Sequence, residues 1–97
     1  MLTGKQKRYL RGLGHDLKPV ITIGKNEITD TLIRETDTAL ERHELIKIKL
    51  LESSLTERKE AAGELAESLK ADVAQILGRT FLLYRPSREP KIILPNK

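Results

Sequence analysis

Gly24-Lys25-Asn26-Glu27 is the tetrad in this sequence best equipped to meet an anion. It follows the β-branched run Pro19-Val20-Ile21-Thr22-Ile23 and precedes a helical pattern. A helix N-terminus presents unpaired backbone N–H groups and a partial positive charge, which suits phosphate. Gly24 lets a ligand approach the backbone, and Lys25 adds a full charge. Asn26 can hydrogen-bond a sugar or base edge, or adopt a positive φ to shape the turn. An ordinary strand-to-helix turn has the same composition, so the tetrad alone leaves both readings open. The second group is Lys5, Lys7, Arg8 and Arg11, which fall on one arc of a helix. No acid stands at i±4 to any of them, as one often does on a merely solvated helix face, so phosphate contact is favoured. The third group is Arg79 with Arg85 and Arg88. These either flank a nucleic-acid groove or keep sheet edges from pairing, and Lys47 and Lys49 have the same two readings.

Catalytic constellations are not found. His15 and His43 are far apart and outside any metal-ligand spacing, and cysteine is absent. No serine sits in a nucleophile elbow. Gly12-Leu13-Gly14 lacks the third glycine of a dinucleotide fingerprint and follows a helix rather than a strand. The acids Glu35, Glu41, Glu60, Glu64 and Glu67 read as solvated helix faces. The expectation is therefore a protein that is no enzyme, with no cofactor, metal or small-molecule substrate. The aromatic residues are Tyr9, Phe81 and Tyr84 alone, so base stacking is not expected to dominate any nucleic-acid contact. Tyr9 is expected in the core. Phe81 and Tyr84 are expected on opposite faces of one strand, one of them partly exposed.

The 97 residues suit one domain, here taken as residues 1–97 with a less regular tail after 94. Charge is segregated along it. Residues 1–25 carry six Lys/Arg against one acid, residues 26–72 seven against twelve, and residues 73–97 five against one. Basic ends around an acidic middle give a fold one positive face, which suits a polyanion. The cysteine-free composition, the lack of an apolar signal core and apolar runs no longer than FLLY lead to a cytoplasmic expectation, with no membrane partner.

The elements that must position these groups follow from periodicity. Residues 3–14 read as a helix capped by Thr3, with Leu2, Gln6, Tyr9, Leu10, Leu13 and Leu17 on its apolar arc. Gly12 and Gly14 weaken it and Pro19 bars continuation. Residues 19–23 read as a buried strand and residues 28–42 as a helix. Residues 45–51 alternate, with Ile46, Ile48 and Leu50 against Lys47 and Lys49, and form a strand. Ser54 and Glu57 resemble a capping box for a helix running to about Lys70. Residues 72–78 suit either a turn capped by Gly78 or a strand, and the turn is favoured. Residues 80–85 and 91–94 read as two strands pairing antiparallel. The order α-β-α-β-α-β-β implies an α/β fold with three helices and a four-stranded mixed sheet.

Three segments together, LTGKQKRYLRGLGHDLKPVITIGKNEIT, HELIKIKL and AQILGRTFLLYRPS, resemble the CRM domain of chloroplast RNA splicing and ribosome maturation, in its stand-alone bacterial YhbY-like form. The likeness spans residues 2–94. It implies a fold like the C-terminal domain of translation initiation factor 3. It also implies a GxxG-type loop that clamps a nucleic-acid backbone, matched here by Gly24, Lys25 and Asn26. The fourth position departs from the pattern, with Glu27 where such members have glycine. The implied partner is ribosomal RNA or a precursor of the large ribosomal subunit, met by a monomer. A DNA-binding architectural protein and a protein–protein adaptor are the competing classes.

Overall fold

Two helices cover one face of a four-stranded sheet, and a third helix covers part of the other. This computed structural model describes residues 2–24, 28–51 and 57–96. The elements are α1 (Gly4–Gly14), β1 (Pro19–Ile23), α2 (Asp30–His43), β2 (Leu45–Leu50), α3 (Arg58–Leu69), β3 (Asp72–Leu77) and β4 (Thr80–Tyr84). The sheet order is β1-β2-β4-β3. β1 and β2 pair parallel, and β4 pairs antiparallel with both β2 and β3. A parallel pair requires a crossover, which α2 supplies.

The alternation of side chains sets the two faces. Ile21, Ile23, Ile46, Ile48, Leu50, Phe81 and Leu83 join Leu40 of α2 and Ala61, Ala62, Leu65 and Leu69 of α3 in one core. Leu2, Leu10, Leu45, Ala74, Leu82 and Tyr84 form a second cluster on the α1 side. Ala61, Ala62, Leu65 and Leu69 recur at helical spacing, so one stripe of α3 packs.

Several expectations are corrected. Residues 72–78 are no turn: Asp72–Leu77 is a strand, and Gly78, at φ +58°, begins the two-residue link to β4. Only glycine enters that region freely. The antiparallel pair at the end is thus β3 with β4, and residues 91–94 are not a strand. The N–H groups of Lys91 and Ile92 donate instead to the Glu44 carboxylate. β1 is an edge strand with only Ile21 and Ile23 buried, not a fully buried one. Phe81 and Tyr84 are both buried, because each sheet face carries its own core at β4. α3 begins at Arg58 with Glu57 as its N-cap, three residues later than a Ser54 cap implies, and Ser54 lies outside the described residues.

α1 opens with a capping box. The Thr3 hydroxyl accepts from Gln6 N at 3.1 Å, and Thr3 N donates to the Gln6 amide oxygen at 3.0 Å. The helix then turns a narrower face inward than expected. Leu10 and Gly14 are buried, while Tyr9, Leu13 and Leu17 stay about 40% exposed. Gly14 sets the helix–sheet spacing: a Cβ there would lie 2.6 Å from Leu82 Cδ1 and 3.3 Å from Leu82 Cγ. Leu82 is itself buried and cannot simply swing away. Gly14→Ala is expected to cost about 1–3 kcal/mol by overpacking, despite alanine's better helix propensity. A lower urea midpoint at unchanged slope would register it.

Candidate nucleic-acid interface

The predicted basic residues of α1 are all on the surface. Lys5, Lys7, Arg8 and Arg11 are exposed, and among the described residues none of them forms an ion pair. The helix runs along the sheet with its C-terminal half near the β3–β4 link, since Arg11, Gly12 and His15 share a groove with Leu77 and Thr80. Its N-terminal end packs with Leu2 near Tyr84, Ile92 and Leu94. Arg11 therefore stands at the end of the helix nearer the β3–β4 link. Lys5, six residues back, is about 9 Å further along the axis.

Gly24 leaves β1 at that same end of the sheet. Leu51 N donates to Ile23 O at 2.9 Å, so the parallel pair is closed right up to Gly24. Among the described residues, a Cβ added at Gly24 would meet only Leu51 Cδ1, at 3.5 Å, an ordinary contact. Packing among the described residues places no demand for glycine at this position. Lys25, Asn26 and Glu27 lie outside the described residues. Beyond them, Thr29 caps α2, accepting from Leu32 N at 3.1 Å.

Between Arg11 and Gly24 runs the part of the sheet that α1 leaves uncovered. Lys47 lines the groove beside α1. Lys49 follows on the same face, exposed, in one row with Thr22 of β1 and Thr80 of β4. The alternation read from residues 45–51 is the signal for this pair. Their contiguity with Arg11 depends on the crossover geometry, which the sequence does not display.

Arg79 has a structural task. Its Nε donates to Leu50 O at 3.1 Å and its Nη2 to Leu51 O at 2.7 Å, while Leu50 N donates to Arg79 O at 2.7 Å. It ties the end of β2 to the β3–β4 link, with the residue as a whole still exposed. Arg58 donates to Gly78 O and ties the start of α3 to the same link. Arg85 faces inward: it pairs with Asp37 at 2.7 Å and Glu41 at 3.7 Å, and donates to Leu69 O at 3.1 Å. Arg88 is exposed, and its backbone N–H donates to Glu41.

Glu44 is the residue that sequence reasoning passed over. It is 2% exposed and holds a positive φ of 66° at the end of α2. Its carboxylate accepts from Ser87 N at 2.8 Å, Lys91 N at 2.8 Å and Ile92 N at 2.9 Å. Burial pushes its pKa up, but these N–H donors outweigh burial and hold it below the usual carboxylate range. Burial, with the nearby charges of Glu44 and Asp72, pushes the Tyr84 phenol above its ordinary value. Glu44 thus fastens the segment after β4 across the molecule, where Ile92 and Leu94 pack on the α1-side cluster. Among the described residues no helix is long and apolar enough to cross a membrane, and no group of three His, Cys, Asp or Glu could hold a metal ion.

Comparison with known proteins adds the family. The CRS1 / YhbY (CRM) domain matches residues 2–85. An RNA-binding protein of Haemophilus influenzae is 40% identical over 96 residues, covering 99% of this chain and 97% of that one. "Probable RNA-binding protein YqeI" of Bacillus subtilis is 39% identical over 93 residues, covering 96% and 97%. The solution structure of SAV1595 from Staphylococcus aureus superposes with a TM-score of 0.84 at 44% identity, over 98% of this chain and 100% of that one.

Proposed function

The chain belongs to the CRS1 / YhbY (CRM) domain family, and from that premise and its cationic surface we propose that it binds RNA, acting on the precursor of the large ribosomal subunit. The observation that carries this reading is the exposed basic face of α1, which leads through Arg11 and Lys47 toward the Gly24 end of the sheet. Four exposed cations without carboxylate partners among the described residues keep their charge available for phosphates. Relatives named for RNA binding, similar over nearly their whole length, support the polymer class. Gly24 supports a close backbone approach, because packing among the described residues does not require glycine there. Lys25 and Asn26 complete a GxxG-type clamp on the ribose-phosphate chain in this reading. The protein performs no chemistry and works as a monomer in the cytoplasm, holding or shielding an RNA conformation.

The test is a salt titration. Lys25→Ala and Arg8→Ala are each expected to reduce the slope of log affinity against log salt by about one unit per lost phosphate contact. Slopes that match the unsubstituted protein in both variants would remove this surface from consideration. Sedimentation of cell extract addresses the partner: the protein should travel with large-subunit precursors at low salt. Equal competition by duplex DNA would move the reading to a general polyanion binder.

A further inference from the structure

We propose that the groove between α1 and the uncovered sheet seats one unpaired nucleotide of the bound RNA, a proposal that rests on the RNA-binding reading. The groove holds about 530 Å³ and is lined by Arg11, His15, Lys47, Gln75, Leu77 and Leu82, with Gly12 and Gly14 at its helical wall. Clefts of about 300–1,000 Å³ suit small organic groups of nucleotide size. Among the described residues no acid lines it. Three features distribute the nucleotide's parts. Arg11 and Lys47 carry charge for its phosphate. Gln75, half-buried, offers an amide that both donates and accepts, which suits a base edge. Leu77 is 64% exposed despite its apolar side chain and offers a base an apolar surface.

The shape decides between paired and unpaired RNA. A continuous A-form helix is too wide and stiff to enter such a notch, whereas a base in a loop or bulge can be splayed out into it. Lys49, Thr22 and Thr80 continue the same face toward Gly24, so the flanking strand has a polar path toward the glycine turn. The groove and the basic face of α1 therefore divide the work: the helix and turn meet phosphates, and the groove requires one nucleotide free of its stack.

The experiment compares two RNA hairpins at one salt concentration, identical except for a single unpaired nucleotide in one stem. The intact protein is expected to prefer the bulged hairpin about tenfold, the scale of one or two net hydrogen bonds gained by a seated base. Gln75→Ala and Leu77→Ser, which alter surface side chains, should lose that preference while keeping affinity for the paired hairpin. Thermal melts of both variants verify folding. Equal affinity of the intact protein for the two hairpins overturns the groove proposal and leaves RNA binding standing. A preference untouched by both substitutions also overturns it. Displacement of the bulged hairpin by poly-glutamate as readily as by RNA overturns it in favour of an acidic protein tail. Absence of binding to either hairpin removes the RNA-binding reading itself.

Discussion

Glu44→Ala is expected to lower the free energy of unfolding by about 3–5 kcal/mol, a large share of what a domain this size has. The carboxylate is the acceptor for three backbone N–H groups, from Ser87, Lys91 and Ile92. Each donor left unmet in a buried setting costs about 1–3 kcal/mol, limited here because a released segment can rehydrate. Release also exposes the apolar contacts of Ile92 and Leu94 with the α1-side cluster. Glu44→Gly should be milder than Glu44→Ala by about 1 kcal/mol, since glycine tolerates the φ of 66°. Glu44→Gln keeps one acceptor oxygen and should fall between the unsubstituted protein and Glu44→Ala. The pH dependence follows from the lowered pKa. The charged form is the one the fold favours, so its contribution is complete above the unfolded-chain value of about 4.3. It is lost as pH falls through the lower folded value. The stability gap between Glu44 and Glu44→Gln should therefore close in acid. Urea midpoints across pH, with amide exchange at Ser87, Lys91 and Ile92, measure both effects. A gap that stays constant down to pH 2 would contradict the assignment.

Glu44 also explains why part of the fold was hidden. Its sequence context, after a helix and before an alternating strand, marks only a helix end. What makes it special is a set of donors more than forty positions away. For the same reason Lys91–Leu94 looks like a strand: Ile92 and Ile93 are β-branched and Leu94 is apolar, but the N–H groups of Lys91 and Ile92 go to a carboxylate instead of a neighbouring strand. Asp72–Leu77 misled in the other direction. Gly78 reads equally as a helix cap or a hairpin residue, and only pairing with β4 settles it. Periodicity did place the three helices and the strands of β1, β2 and β4. It also put the cations of α1 outward. It overstated the helix's buried arc, because a Gly14–Leu82 contact draws the axis close along one narrow seam and leaves Tyr9 and Leu13 outside. The link between Arg11 and Lys47 is a tertiary product of α1 crossing the sheet, so the sequence offered the two residues without their adjacency.

Replacing both Arg8 and Arg11 by Glu is expected to weaken RNA binding by about a hundredfold or more near 0.1 M salt, with little change in stability. Each neutralised phosphate contributes about 0.9 units of log-log salt slope for duplex nucleic acid, hence roughly tenfold at that salt concentration. Two lost contacts multiply, and the new carboxylates add repulsion. The fold has little reason to respond. Both side chains are exposed, and neither forms an ion pair among the described residues. A glutamate at position 8 stands three residues from Lys5 and one at position 11 four residues from Lys7, spacings at which opposite charges attract on a helix. The stability change should stay within about 0.5 kcal/mol. This separation of affinity from stability distinguishes a binding face from a structural one. It also distinguishes α1 from Arg79 and Arg85, whose guanidinium groups bind backbone carbonyls of the fold. Substituting those two should move the melting temperature first. Filter binding or anisotropy at three salt concentrations, with a urea titration on the same preparation, measures both quantities. If affinity for structured RNA survives the double reversal within a few-fold, the basic helix is solvent-facing surface and the contact with RNA must lie elsewhere on the molecule.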